Sequence, residues 1–163
     1  MKKLFTCNLS LVLCGLLLLT TTAQASPDCY VVRGTVIAHF EAPAASCPAG
    51  TISGLSGNVF DASSNLIGTT TACLITLEQQ GNGASHGTLT HNFIFTAGEL
   101  QGTTINTQDN AVLTPVDPPL LFRVNNRLEI TTGGSGFLRT HGLVNFGIGE
   151  VTLRYNGRIC VGN

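Results

Sequence analysis

Hydrophobic and polar residues alternate with a period of two along most of this chain, and the clearest alternation lies between Thr88 and Ala97. Leu89, His91, Phe93 and Phe95 fall on one side, Thr88, Thr90, Asn92 and Thr96 on the other, and Ile94 is the exception. That period is the signature of a β-strand with one buried face. Tyr30 to Phe40 is rich in β-branched residues and reads as an opening strand. Val32, Val36, Ala38 and Phe40 share one face, and Val31, Arg33, Thr35, Ile37 and His39 the other. Glu41 to Thr51, with two prolines and a glycine, reads as a loop. Ile52 to Phe60 and Leu66 to Leu77 form a predicted hairpin, because Asp61, Ser63, Ser64 and Asn65 are residues that bond their own backbone in turns.

After a polar loop at Gln79 to Gly87 and the Thr88 strand, Gly98 to Thr107 reads as a further strand and Gln108 to Pro119 as a proline-punctuated loop. Leu120 to Thr132 resumes strand character around an Asn125-Asn126 turn candidate. Leu128 to Phe146, LEITTGGSGFLRTHGLVNF, reads as a strand, a double-glycine turn, a short arm and another strand. Gly149 to Val161 closes the chain, with Val151, Leu153 and Tyr155 opposite Thr152, Arg154 and Asn156. Beyond the first 25 residues no window keeps a 3.6-residue period. The expectation is an all-β domain of about eight strands, with turn signals at barrel-like intervals.

The first 25 residues change the picture of compartment and charge. Lys2 and Lys3, an apolar run from Leu9 to Leu19 and Ala23-Gln24-Ala25 have the layout of a signal peptide, with cleavage expected after Ala25. The run is shorter than the roughly 20 apolar residues of a membrane span. Residues 26–163 then form one domain, secreted or periplasmic. It carries six Arg, no Lys and nine acidic residues, a formal charge of −3. On that balance no basic patch is expected, which argues against a nucleic-acid partner. Cys29, Cys47, Cys73 and Cys160 remain, an even number that suggests two disulfides in an exported chain. Three pairings are open, and spacing does not choose among them. No CxxC or Cys/His cluster suggests zinc.

Three blocks, in order, resemble β-barrels of the dirigent and allene oxide cyclase families. Ser64 to Gly68, SNLIG, leads into a Thr-rich strand. Asn92 to Thr104, NFIFTAGELQGTT, is similar to the dirigent N-F-x-F-T-x-G run. Gly133 to Gly136, GGSG, is followed by an aromatic residue and an arginine. The similarity extends over about Ser53 to Val161. It implies an eight-stranded antiparallel barrel that holds a small hydrophobic molecule and uses no cofactor; dimers and trimers occur in these families. In such a closed barrel the first and last strands are neighbours, which favours Cys29 with Cys160 and leaves Cys47 with Cys73. The arm departs from the family pattern: it is one residue shorter and ends Thr140-His141-Gly142 where relatives carry Arg-Gly, and Phe60-Asp61-Ala62 offers one acid where they often carry two.

The candidate chemistry follows from these positions. Asp61 is a candidate cavity-mouth acid, although an Asp in FDASSN more often builds a turn. His91 shares an apolar face with Phe93 and Phe95 and can give or accept a proton. His141 and Arg139 sit on the arm where the family resemblance places cavity-rim groups. Asp61, His91 and His141 are thus the candidate catalytic residues, and Phe93, Phe95, Arg139 and Tyr155 the candidate ligand-binding ones. The glycines of GGSG are no phosphate cradle, since no GK(S/T) and no helix follow; they suit turns with positive φ. Three readings follow: a cofactor-free binder of a small hydrophobic ligand, favoured by the altered arm; an isomerase or cyclase that confines a reactive substrate; and a non-catalytic surface or envelope interaction module.

Overall fold

A computed structural model describes residues 26–117 and 120–162; the expected signal peptide lies outside them. The chain is a closed antiparallel barrel of eight strands, each paired with the next and the last with the first. The strands are β1 (Asp28–Glu41), β2 (Ser53–Asp61), β3 (Leu66–Gln79), β4 (Ser85–Phe95), β5 (Thr104–Asp117), β6 (Leu121–Thr132), β7 (Ser135–Asn145) and β8 (Glu150–Val161). Closure leaves no free sheet edge, the device by which a β protein with few charges avoids edge-to-edge pairing.

Alternation sorts the side chains as the sequence pattern requires. Val36 and Ala38 of β1, Leu55 and Val59 of β2, Phe93 and Phe95 of β4, Leu128 of β6, Leu138 of β7 and Ile159 of β8 are buried inside. The seam between β1 and β8 runs from Asp28 opposite Val161 to His39 opposite Glu150. Cys29 and Cys160 face one another in that ladder and are bridged; Cys47, in the β1–β2 loop, is bridged to Cys73 on β3. Both bridges agree with the favoured pairing.

Three parts of the predicted strand map are corrected. Residues 96–103 form a tight connection rather than a strand, with Gly102 N–H donating to the Phe95 carbonyl and Gly98 and Gly102 at positive φ. The supposed loop at Gln108 to Pro119 is mostly β5, which pairs with β4 from Ser85 to Ile94 and with β6 from Asn106 to Asp117. Pro115 is tolerated because it sits at the β5 end, beside a register shift. Asn125-Asn126 is likewise no turn: both lie within β6, Asn125 outward and Asn126 buried.

At the GGSG corner, Gly133 has φ 79° and Gly136 φ 121°, and a Cβ on Gly133 would collide with the Thr104 carbonyl. Glycine is therefore required there both for its dihedral and for the close approach of β5. This corner, the β2–β3 turn and the 96–103 connection close one end of the barrel. The β1–β2, β3–β4 and β7–β8 loops surround the other, which is called the mouth below.

Candidate functional site

Several strands turn polar side chains into the barrel at its waist. His91 of β4, Thr107 and Asp109 of β5, Asn126 of β6 and Thr140 of β7 all occupy inward positions of the alternation. Asp109 is fully buried, so its carboxylate has to be compensated by protein groups. His91 Nδ1 lies against Asp109 Oδ2. A carboxylate can only accept, so Nδ1 donates and the tautomer is fixed. Thr107 Oγ1 donates to Asp109 Oδ1 at 2.6 Å, and Asn126 Nδ2 approaches Oδ2 at 3.5 Å. The His91 ring is held from below by a stack along β4: 5.5 Å to the Phe93 ring, and 6.4 Å from there to Phe95.

Two polar atoms in this belt have no partner among the described residues, Asn126 Oδ1 and Thr140 Oγ1. Their residues face one another across β6 and β7, so both orphans belong to a single cross-strand pair. An unpaired buried polar atom costs about 1–3 kcal/mol. Such a pair marks a place where a group from outside the chain can bond.

Between the waist and the mouth lies a cavity of about 60 Å3, lined by apolar side chains including Leu55, Leu74, Leu89 and Leu113, with His91 and Asn126 its two polar residues. Three rings surround the mouth: Phe40 stacks on Phe146 at 5.2 Å, and Phe122 meets Phe146 edge-on at 5.4 Å. Below the waist, Val36, Val59, Phe93, Phe95, Leu138, Tyr155 and Ile159, with Thr140 at the waist, enclose only about 10 Å3, about the least that a single water requires. Phe93, Phe95 and Tyr155, expected to touch a ligand, instead fill this closed half.

The remaining predicted residues do not converge on His91. Asp61 builds the β2–β3 turn: its carboxylate accepts from the backbone N–H of Ser63 and Asn65 and from the Asn65 side chain. Those bonds, the Asn65 side chain foremost, hold its carboxyl below the ordinary value. It borders an open hollow of about 270 Å3 at the closed end, together with Arg33, Glu99 and Tyr155. That hollow is larger than the mouth cavity, but Asp61 is spent on the turn and Tyr155 Oη donates to the Phe60 carbonyl at 3.0 Å. Gly34 makes this last bond possible, since a Cβ there would strike both groups. Burial, with Asp61's charge second, pushes the Tyr155 phenol up to about 12. Arg139 and His141 point outward from β7.

Chemically, the waist offers an imidazole oriented by a buried carboxylate, with Nε2 left free of Asp109, at the floor of an apolar chamber. That arrangement can bind a hydroxyl or move a proton. The Thr107 hydroxyl is committed to Asp109 and is no free nucleophile. Among the described residues no three His, Cys, Asp or Glu side chains gather as a metal site. Sequence reasoning found His91 but missed Asp109, which fell in the supposed loop, and Asn126, which fell in the supposed turn. The signal was present: Thr107, Asp109, Ala111 and Leu113 alternate, as do Val124, Asn126 and Leu128. Searches of family models, curated proteins and solved structures find no match to this chain.

Proposed function

We propose that the barrel binds a small, slim, mostly apolar molecule carrying one hydroxyl, taken in through the mouth with the hydroxyl directed to the waist. The observation that carries this reading is the apolar cavity floored by His91 and the orphaned Asn126 Oδ1. A hydroxyl donates and accepts at once, so it complements an acceptor without a partner beside a ring nitrogen free to accept. The volume sets the size: about 60 Å3 is far below the roughly 300 Å3 of sites that engulf a drug-sized ligand. An alkyl chain end or one narrow ring is what such a chamber takes. Kinship with dirigent and allene oxide cyclase barrels belongs to the same proposal; the order of the three motif blocks and the closed eight-stranded barrel support it. Export is supported by two disulfides, which suit an oxidising compartment.

The test is titration of residues 26–163 with short alkanols and phenols, each beside its hydrocarbon counterpart, followed by NMR. Saturable shifts at His91, Phe40 and Phe146, tighter for the hydroxylated member and lost selectively in His91→Leu, are the expected result. No shift with any probe sinks the reading. A second reading, an isomerase or cyclase, is favoured by one observation: the Asp109-oriented imidazole is a built acid–base pair. In that case Nε2 takes a proton from a bound ligand and returns it to another atom of the same ligand. Asp109→Asn then lowers turnover more than binding.

A further inference from the structure

The outer surface of the barrel is divided by charge in a way the net charge of −3 conceals. All six arginines of the chain beyond the leader, Arg33, Arg123, Arg127, Arg139, Arg154 and Arg158, are exposed on the outer faces of four contiguous strands, β6, β7, β8 and β1. Register places them closely. Arg127 faces Arg139, Arg139 faces Asn156, and Asn156 faces Arg33, in one row across the four strands. The next row on one side pairs Phe137 with Arg158; on the other, His141 pairs with Arg154. With strands about 4.8 Å apart and rows two residues apart, five arginines and a histidine fall within a patch about 14 Å on a side. Within this patch Glu129 is the one acid among the described residues, 3.3 Å from Arg127; Glu41 and Glu150 stand at the mouth end of β1 and β8 and Asp28 at the other end of β1, outside these rows. The outward positions of β2 to β5 carry Ser56, Asn58, Thr69, Thr71, Thr90 and Asn92 instead, with no charge along the body of the wall.

Like charges directly opposite in an antiparallel pair are destabilising, yet Arg127 and Arg139 stand opposite one another and both lean on the Phe137 ring, at 5.9 and 5.7 Å. A shallow groove of about 470 Å3 runs over the same rows, bordered by Asn110, Asn125, Arg127, Arg139, His141 and Asn156. Guanidinium groups alternating with amides around an exposed ring match a particular chemistry. Planar forks take carboxylate or sulfate two-handed, amides bond hydroxyls, and the ring face takes the apolar side of a sugar.

We infer that this wall is a binding site for an acidic polysaccharide, a chain of sugars bearing carboxylate or sulfate groups, laid across β6, β7, β8 and β1. The site is separate from the interior cavity, and each can be occupied while the other is empty. An anionic membrane is less well matched: two of the three central rows are built of arginine, amide and histidine rather than of side chains that enter lipid.

The test passes residues 26–163 over immobilised alginate, a polyuronate, over dextran sulfate and over neutral dextran, in low salt. Retention on one or both acidic polymers but not on dextran, weakening steeply with added salt, is expected despite the protein's negative net charge. Arg127→Gln/Arg139→Gln/Arg158→Gln should weaken that retention at least tenfold while the circular dichroism and thermal midpoint stay those of the parent. Arg123→Gln, two rows from the patch centre, should change it less than twofold. Alginate against dextran sulfate tells carboxylate from sulfate. Absence of retention on both acidic polymers, equal retention on dextran, or retention unchanged in the triple variant overturns the inference. So does preferential capture by phosphatidylglycerol vesicles or by duplex DNA, which would assign the wall to a membrane or to nucleic acid.

Discussion

Below its waist the barrel interior is closed, with Phe93, Phe95, Leu138, Tyr155 and Ile159 leaving about 10 Å3, while above it a cavity of about 60 Å3 opens under the Phe40, Phe122 and Phe146 rings. The two halves also treat polar groups differently. In the closed half the Tyr155 hydroxyl finds the Phe60 carbonyl, and Asp61 is saturated by its own turn. At the waist, a carboxylate is buried, a histidine is tied to it, and a facing Asn–Thr pair is left short of partners. Local rules of packing and satisfaction hold in one half and are broken in the other, and such breaks concentrate where a protein works.

The strongest way to break the comparison is at the covalent ties, one in each half. Cys29–Cys160 locks the seam at the closed end across a separation of 131 residues, whereas Cys47–Cys73 ties a mouth loop across 26. Chain entropy alone makes the first worth about 5 kcal/mol and the second about 3.5 kcal/mol. Cys29→Ser/Cys160→Ser should therefore lower the denaturation midpoint more than Cys47→Ser/Cys73→Ser. Comparison of the two in guanidinium checks the order, and equal losses would show that the seam is held by its ladder without the bridge.

Next in size is the buried pair itself. His91→Leu leaves the Asp109 carboxylate buried with only Thr107 and the long Asn126 contact, and should cost about 3–5 kcal/mol. His91→Leu/Asp109→Leu removes the charge along with its partner and should cost less than the single change. A double-mutant cycle from urea unfolding reads this directly, and additive losses would mean that the two side chains do not act as a unit.

How much of this was legible from residue order follows the same division. The closed half was, because its inward positions are apolar and alternate cleanly: Val36, Phe93 with Phe95, and Tyr155 could be assigned to one face from their period alone. The waist was not, because its inward positions are polar. Thr107, Asp109 and Asn126 carry the marks of loop residues, and Pro115, Pro118 and Pro119 nearby reinforced that misreading of β5. Only His91, flanked by Leu89 and Phe93, kept enough apolar context to be seen as inward. The basic wall was hidden for a different reason: its arginines come from four strands, and only their register brings them together.

A smaller effect separates the halves by pH. The Tyr155 phenol sits at about 12 in the folded protein, and unfolding returns it to the ordinary value near 10. Between those values the unfolded chain has lost the proton and the native one has kept it. Stability therefore falls as pH rises through this window, by about 1–2 kcal/mol once screening of the Asp61 charge is allowed for. Tyr155→Phe should flatten that slope, whereas changes at the mouth should leave it intact. Denaturation midpoints across the window, with phenolate absorbance to follow ionisation, distinguish the two; a slope unchanged in Tyr155→Phe would assign it to other groups.

The smallest expected change is the sharpest test of what the waist is for. Thr140→Val replaces an orphaned hydroxyl by a methyl of the same shape, and since Thr140 is buried and Oγ1 has no partner, the substitution removes a desolvated group without opening space. Replacing an unsatisfied polar group in this way is neutral or stabilising, here by up to about 1 kcal/mol. Thr140 borders the closed half rather than the chamber; if the hydroxyl of a bound molecule reaches past Asn126 to it, the same variant should bind alkanols and phenols more weakly while its midpoint holds or rises. Stability and binding would then move in opposite directions at one atom. A Thr140→Val protein that loses stability instead shows that Oγ1 is bonded in the free barrel, in which case the waist is as well satisfied as the half beneath it and the contrast between them disappears.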